Sequence, residues 1–345
     1  MKRLAAISLA ALVAITTTPA PAFAWGATGH ELISGAAIDM LAKDVPAFLK
    51  TKTARGQIAL LGREPDRSRG AGKTHDWERD SGHYINIDDN GLAGGIYPLD
   101  ELPTGRSDFD AAYRLKGIKP PAPGYLPYAI IDGYQQIVKD FGYWRASTIA
   151  AKNAKTRADR DWFAADAKLR EIIIIRDIGV WSHFVADGSQ PQHVSEHHNG
   201  WDGVYKDPMT YPPAGQPPEV NGIHAYFEGP FVKANFKIAD IKAAMSPYRD
   251  CSCTIDQRTP AYLKTTLAEV RPLYELVQSG GVKDASPAAK AFTLGRLAAG
   301  ASEVRDMIED AWKASATATV GYPAINVADV VSGKVILTRD SYGAD

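Results

Sequence analysis

The stretch WSHFVADGSQPQH, residues 181–193, concentrates chemistry. His183 and Asp187 stand at i and i+4, so a helix would place both side chains on one face. Gly188 and Pro191 end such a helix, and His193 follows on the turn. An imidazole, a carboxylate and a second imidazole then converge, a donor set suited to zinc. A surface His–Asp pair has the same spacing but little energetic consequence. HAYFE repeats the theme, with His224 and Glu228 again at i and i+4. REPDRSRG and SGHYIN add Asp66 and His83, with 16 residues between them; taken alone, Asp66 reads more readily as a turn residue after Pro65 than as a ligand. Of the eight histidines, His75, His197 and His198 lie in charged loops without such a partner. They read as exposed or supporting.

The elements that must position these groups read as helices. Apolar residues recur at helical spacing over 29–49, and helices are expected over 129–154, 161–187, 225–244, 259–278 and 286–316. The run Ile172–Ile175 has β propensity, but its pattern continues through Ile178, Trp181 and Val185 with no turn signal, so it reads as a buried helix. Residues 62–82, 88–124 and 190–221 are rich in Gly, Pro or charge and read as loops. The tail VVSGKVIL is a short strand or an irregular packed segment. The fold class is all-α, one helical domain over 25–345 with long loops.

The first 24 residues read differently. Met1-Lys2-Arg3 is positive, Leu4–Thr18 is mostly apolar and uncharged, and Ala22-Phe23-Ala24 is a small-x-small cleavage pattern. That is a signal peptide for export to the periplasm or the exterior, too short to span a membrane. Cleavage after Ala24 would free the α-amino group of Trp25, a nitrogen donor near neutral pH. With the Trp25 carbonyl and His30, it would form a chelating corner. Removing Lys2 and Arg3 takes the formal charge from −1 to −3, which excludes a basic nucleic-acid-wrapping protein. No other run is long enough to cross a membrane. Cys251 and Cys253 flank one serine, and their redox state stays open. Two cysteines cannot supply a thiolate cage, so any metal must rely mainly on His, Asp and Glu.

Taken in order, Trp25, His30, Asp66, His83, His183, Asp187, His193, His224 and Glu228 resemble the trinuclear zinc phosphodiesterases. These are the single-strand-specific zinc nucleases of moulds and plants, with bacterial relatives, and the related bacterial zinc-dependent phospholipases C. The resemblance implies an all-α domain holding three zinc ions in a cleft. Asp66, His83, His183 and Asp187 would hold one. His193, His224 and Glu228 would hold another. The Trp25 amine and carbonyl, His30 and a bridging Asp187 would hold the third. It also implies a hydroxide nucleophile produced by zinc, with Arg69 neutralising phosphate charge and Asp66 orienting the water.

The spacing from Trp25 to His30 and the Asp66-x-x-Arg69 pattern resemble the nucleases. The implied substrate is then single-stranded nucleic acid or a 3′-nucleotide. Glu228 instead resembles the phospholipases, which act on lipid head groups, and Gln190-Pro191-Gln192-His193 departs slightly from the family's usual Gln-Pro-Leu-His. Tyr84, Trp201 and Tyr205 are candidates for stacking a base, although packing suits each as well. A third reading is a non-catalytic, zinc-stapled secreted binding protein. Closed structural zinc sites often use cysteine, which disfavours it.

Overall fold

Long helices carry the architecture. In the computed structural model, which describes residues 25–201 and 222–343, α1 spans Gly26–Asp39, α2 Lys52–Leu61, α3 Glu64–Arg67, α4 Lys73–Arg79 and α5 Arg106–Leu115. The longest are α6 (Leu126–Asn153) and α7 (Arg157–Asp187), an antiparallel hairpin. Its turn is capped by Thr156, whose side chain accepts from the Asp159 N–H. The chain resumes with α8 (Ile223–Tyr226), a π-turn over Phe227–Phe231 and α9 (Val232–Asn235). Then follow α10 (Ile238–Ala244), α11 (Ile255–Leu267), α12 (Val270–Gln278), α13 (Pro287–Ala314) and α14 (Val327–Val331). Two small antiparallel ribbons, Leu92–Ala93 with Tyr97–Pro98 and Thr319–Val320 with Ile325–Asn326, are the strands among the described residues. The class is all-α.

The core forms where α1, α7 and α13 meet. Ile33, Ala36 and Ala37 of α1 pack with Ile178, Trp181 and Val185 of α7 and with Leu297, Ala301 and Val304 of α13. A smaller apolar cluster joins Ala146 and Ala150 of α6 and Phe163 of α7 to Val320, Val327 and Leu337 of the tail.

Several boundaries differ from the sequence reading. Residues 62–82 are mostly short helical turns, including α3 and α4, and not a loop; Pro65 in the first turn of α3 supplies a ready-made φ. His75 therefore lies on a helix. The excursion 88–124 contains a ribbon and α5, whose apolar Phe109 and Tyr113 are fully buried. The 29–49 helix stops at Asp39, before a separate 3-10 turn at Ala47–Lys50. The 259–278 expectation divides into α11 and α12. The isoleucine run is helical, but a helix turns each successive side chain by ~100°, so only one face of the run can point inward. Ile174 is buried while Ile172 is 65% exposed. The tail segment is irregular: after α14 ends at Val331, Leu337 tucks into the smaller cluster. Cys251 and Cys253 are joined as a disulfide. The expected leader, residues 1–24, and residues 202–221 of the expected loop, Tyr205 among them, lie outside the described residues.

Candidate metal centre

The last turn of α7 is the hub of the site. His183 and Asp187 share its inner face, and both are fully buried. The Nδ1 of His183 donates to the Gly62 carbonyl at the end of α2 (2.7 Å), which leaves the Nε2 lone pair facing inward. There it lies 2.8 Å from Nδ1 of His83. Asp187 Oδ2 is 3.2 Å from that His83 nitrogen and 3.3 Å from His183 Nε2. Zinc bonds of ~2.0–2.2 Å in tetrahedral geometry place neighbouring donors roughly 3.3–3.6 Å apart. Asp66 Oδ1 stands slightly further out, 3.8 Å from His83 and 3.9 Å from His183.

Asp187 also faces the other way. Its Oδ1 lies 3.4 Å from Nε2 of His30 on α1. The His30 ring stacks on His183 at 3.8 Å. His30, Asp66 and His183 also bring donor atoms within 4.8 Å of one another, so the first two groups form one continuous cluster joined by carboxylates. Trp25 stands immediately before α1, and its carbonyl accepts the Gly29 N–H of that helix.

The third buried group is His193, His224 and Glu228. Glu228 Oε2 lies 3.0 Å from His224 Nε2 and 3.8 Å from His193 Nε2. Glu228 sits in the π-turn with Pro230 inside it. Proline has no N–H for an α-helical bond and crowds the preceding turn, and the wider turn accommodates this. His193 donates from Nδ1 to the His83 carbonyl (2.5 Å), and its own carbonyl accepts from the Ile85 N–H. These bonds lock the His83 segment to the turn after α7. The Tyr84 carbonyl is held by the Leu126 N–H at the start of α6. Gly124, at φ +88°, makes that approach possible, because a Cβ there would lie 2.1 Å from the Tyr84 oxygen.

Burial dominates the electrostatics. It raises the Asp66 carboxyl to about 7 against the opposing pull of His183 and Arg69, and it holds Asp187 well above the ordinary carboxylate range. Burial lowers His183 to about 4, and lowers His83 well below the usual histidine range with His183 and Arg69 adding to the effect. For Glu228, burial acts upward, but His224 and His193 outweigh it and bring the carboxyl to about 2. Among the described residues, both oxygens of Asp187, Oδ1 of Asp66, Oε1 of Glu228 and Nε2 of His193 and His224 have no hydrogen-bond partner. A core does not leave so many acceptors unsatisfied in one place without a ligand to satisfy them. The residues fit divalent cations: buried His, Asp and Glu donors converge at metal-binding distances.

The structure therefore brings together His30, Asp66, His83, His183, Asp187, His193, His224 and Glu228, while the Trp25 indole reaches Ala186 and Ser189 at the end of α7. Arg69 Nη2 lies 3.4 Å from Asp66 Oδ1. Tyr84 is half-buried next to His83. Trp201 is half-buried and stacked by His197 at 4.2 Å. His197 does have a carboxylate partner, Asp89 at 2.9 Å, contrary to the sequence reading: the chain folds the Asp89 turn back over it. His75 also lies 3.2 Å from the carboxylate of its neighbour Asp76. A cavity of about 940 Å³ between α6, α7 and α11 is lined by Gly82 and Phe184 among others and includes none of the clustered donors.

Two supporting roles escaped the sequence reading. Gln190 is buried, donates to Glu228 Oε2 (3.3 Å) and accepts from the Gln192 N–H (2.7 Å). The Gly62 carbonyl gives no side-chain signal at all. Compared with models of known protein families and with curated proteins, the chain matches none.

Proposed function

We propose that the chain is an exported zinc-dependent phosphodiesterase that hydrolyses single-stranded nucleic acid, with removal of the 3′-phosphate of nucleotides as a further activity of the same site. One observation carries the reading: three buried His/carboxylate groups meet at the end of α7, and Asp187 offers one oxygen to each of two of them. Structural zinc sites are closed, single and often thiolate-rich, whereas a cluster of shared carboxylates is the arrangement of catalytic polynuclear centres.

Zinc there would polarise a phosphodiester and make water acidic enough to attack near neutral pH. The chain's own residues do the rest. Asp187 ties the spacing of the groups to one rigid helix end. Asp66, with an oxygen free of hydrogen bonds among the described residues, is placed to accept a proton from an attacking water. Arg69 lies beside it as a cation for the charge that develops on the phosphoryl oxygens. Tyr84 offers a ring next to His83 for a base. The export reading rests on the residues before Trp25.

Glu228 favours a second reading, a phospholipase C with a nuclease-like start. Single-stranded DNA and phosphatidylcholine, incubated side by side with the purified protein with and without a zinc chelator, distinguish the two. Chelator-sensitive DNA cleavage with intact lipid is expected. Lipid hydrolysis alone would transfer the assignment to the phospholipases. Hydrolysis of neither by zinc-loaded protein would leave a metal-stapled binding protein.

A further inference from the structure

The indole of Trp25 has its own socket. The side chain is fully buried against Phe227, with ring centroids 5.7 Å apart. Its N–H is shared between the Ser189 hydroxyl (2.8 Å) and the Ala186 carbonyl (3.0 Å). The Ser189 hydroxyl donates its own proton to Ala186 (2.8 Å), so a lone pair is left to receive the indole. Ser189 is fixed in turn. Its carbonyl accepts from Arg296 Nε of α13 (3.0 Å), and Arg296 also reaches Thr266, whose hydroxyl donates to the Gly188 carbonyl (2.6 Å). Gly300 makes room, since a Cβ there would lie 2.7 Å from the Ser189 oxygen.

The backbone at Trp25 needs such an anchor. Its φ is +37°, in the left-handed region that non-glycine residues rarely occupy, and Gly26 follows at +49°. A Cβ on Gly26 would lie 3.1 Å from the Glu228 carbonyl, so only glycine fits beside the π-turn there, directly after the strained Trp25.

We propose that Ser189 is a positioning residue: its hydroxyl, backed by Arg296, holds the Trp25 indole and thereby sets the backbone nitrogen and oxygen of residue 25 against the cluster of His30 and Asp187. This rests on the metal-centre reading above. Ser189 is two residues from Asp187, so one turn fixes both the side-chain ligand and the placement of the backbone corner.

The test uses protein recovered from the exported fraction, its first residue confirmed by intact mass. Metal equivalents are measured under graded chelator for wild type, Ser189→Ala and Trp25→Phe. Far-UV circular dichroism and the metal-free melting temperature are recorded alongside. Removing groups that orient ligands typically weakens a metal site by ~10–100-fold. The expected result is such a loss confined to one of the bound ions, in both variants, with the other ions retained and the fold intact. Two results overturn the proposal: all ions kept within about twofold of wild-type affinity, or all ions lost in parallel with a lowered metal-free melting temperature, which would make the socket mere core packing. Wild-type protein that binds no metal would overturn the metal-centre reading as well, and so separates the two failures.

Discussion

Asp187→Asn should change stability in opposite directions with and without metal. The carboxylate is fully buried, 3.2 Å from His83, 3.3 Å from His183 and 3.4 Å from His30. Burial holds its carboxyl well above the ordinary range, so the ionised form is disfavoured in the metal-free fold. Asparagine has nearly the same shape and no charge to desolvate. The metal-free variant should therefore be at least as stable as wild type at pH 7. Zinc reverses the order. A ligand that binds only the folded state stabilises it by about 4 kcal/mol per site at a thousandfold excess over Kd. Asp187 faces two donor groups, so its loss should remove up to about 8 kcal/mol of zinc-linked stability under those conditions. Urea unfolding of both proteins, in chelator and in buffered zinc, reads both quantities. If the variant gained as much from zinc as wild type, Asp187 would not be a ligand. If it were several kcal/mol weaker in chelator, the carboxylate would belong to a structural hydrogen-bond network, and the reasoning from orphaned oxygens would fail.

Other expectations follow from the same geometry. Asp66 titrates near 7 in the fold against 3.8 as its reference; a raised carboxyl pKa favours folding below the reference value and loses that contribution as pH rises through about 7. Metal-free Asp66→Asn should thus gain on wild type by up to roughly 4 kcal/mol between pH 4 and 7, measured by denaturant titration across that range; a pH-independent difference would refute the shift. Gly62→Ala would bring a Cβ 2.6 Å from the Ser34 hydroxyl and displace the carbonyl that orients His183, so zinc affinity should fall ~10–100-fold by chelator competition, and unchanged affinity would show that this bond does not tune the site. Phe163→Ala, in the smaller apolar cluster away from the centre, should cost about 3–5 kcal/mol of stability while zinc content per folded chain stays as in wild type. His224→Ala should lower zinc content by metal analysis and abolish phosphodiester hydrolysis; full content with full activity would falsify the assignment of the third donor group.

The parts of the centre legible in the sequence were those governed by helix period. His183 with Asp187, and His224 with Glu228, share a face because residues four apart must do so on a helix. Asp66 and His30 were legible as candidate donors, but their meeting with α7 was not, since it depends on long-range packing that spacing does not encode. The Gly62 carbonyl, the left-handed backbone at Trp25 and the π-turn around Pro230 carry no pattern of side-chain polarity. α4 and α5 were hidden by their charge and by the Gly- and Pro-rich stretches around them, whereas burial of Phe109 and Tyr113 decides α5 in the fold. The isoleucine run shows the converse: its helical nature was legible, but the burial expected of it holds on one face only, because one side of α7 faces solvent.

The end of α7 has a further consequence. Its last four carbonyls are all occupied: Phe184 by the Gly188 N–H, Val185 by the Tyr262 hydroxyl, Ala186 by Ser189 and the Trp25 indole, and Asp187 by the Gln190 N–H. No peptide group in that turn needs water, so the terminus can stay dry. A helix also carries roughly half a negative charge at its C-terminal end, and this field is strongest where water does not screen it. The last turn of α7 therefore brings to the cluster a negative partial potential, reduced by the donors on its carbonyls, that neither pH nor side-chain rotation creates. Cations would be drawn to this point by the peptide backbone itself, before any imidazole or carboxylate closes around them.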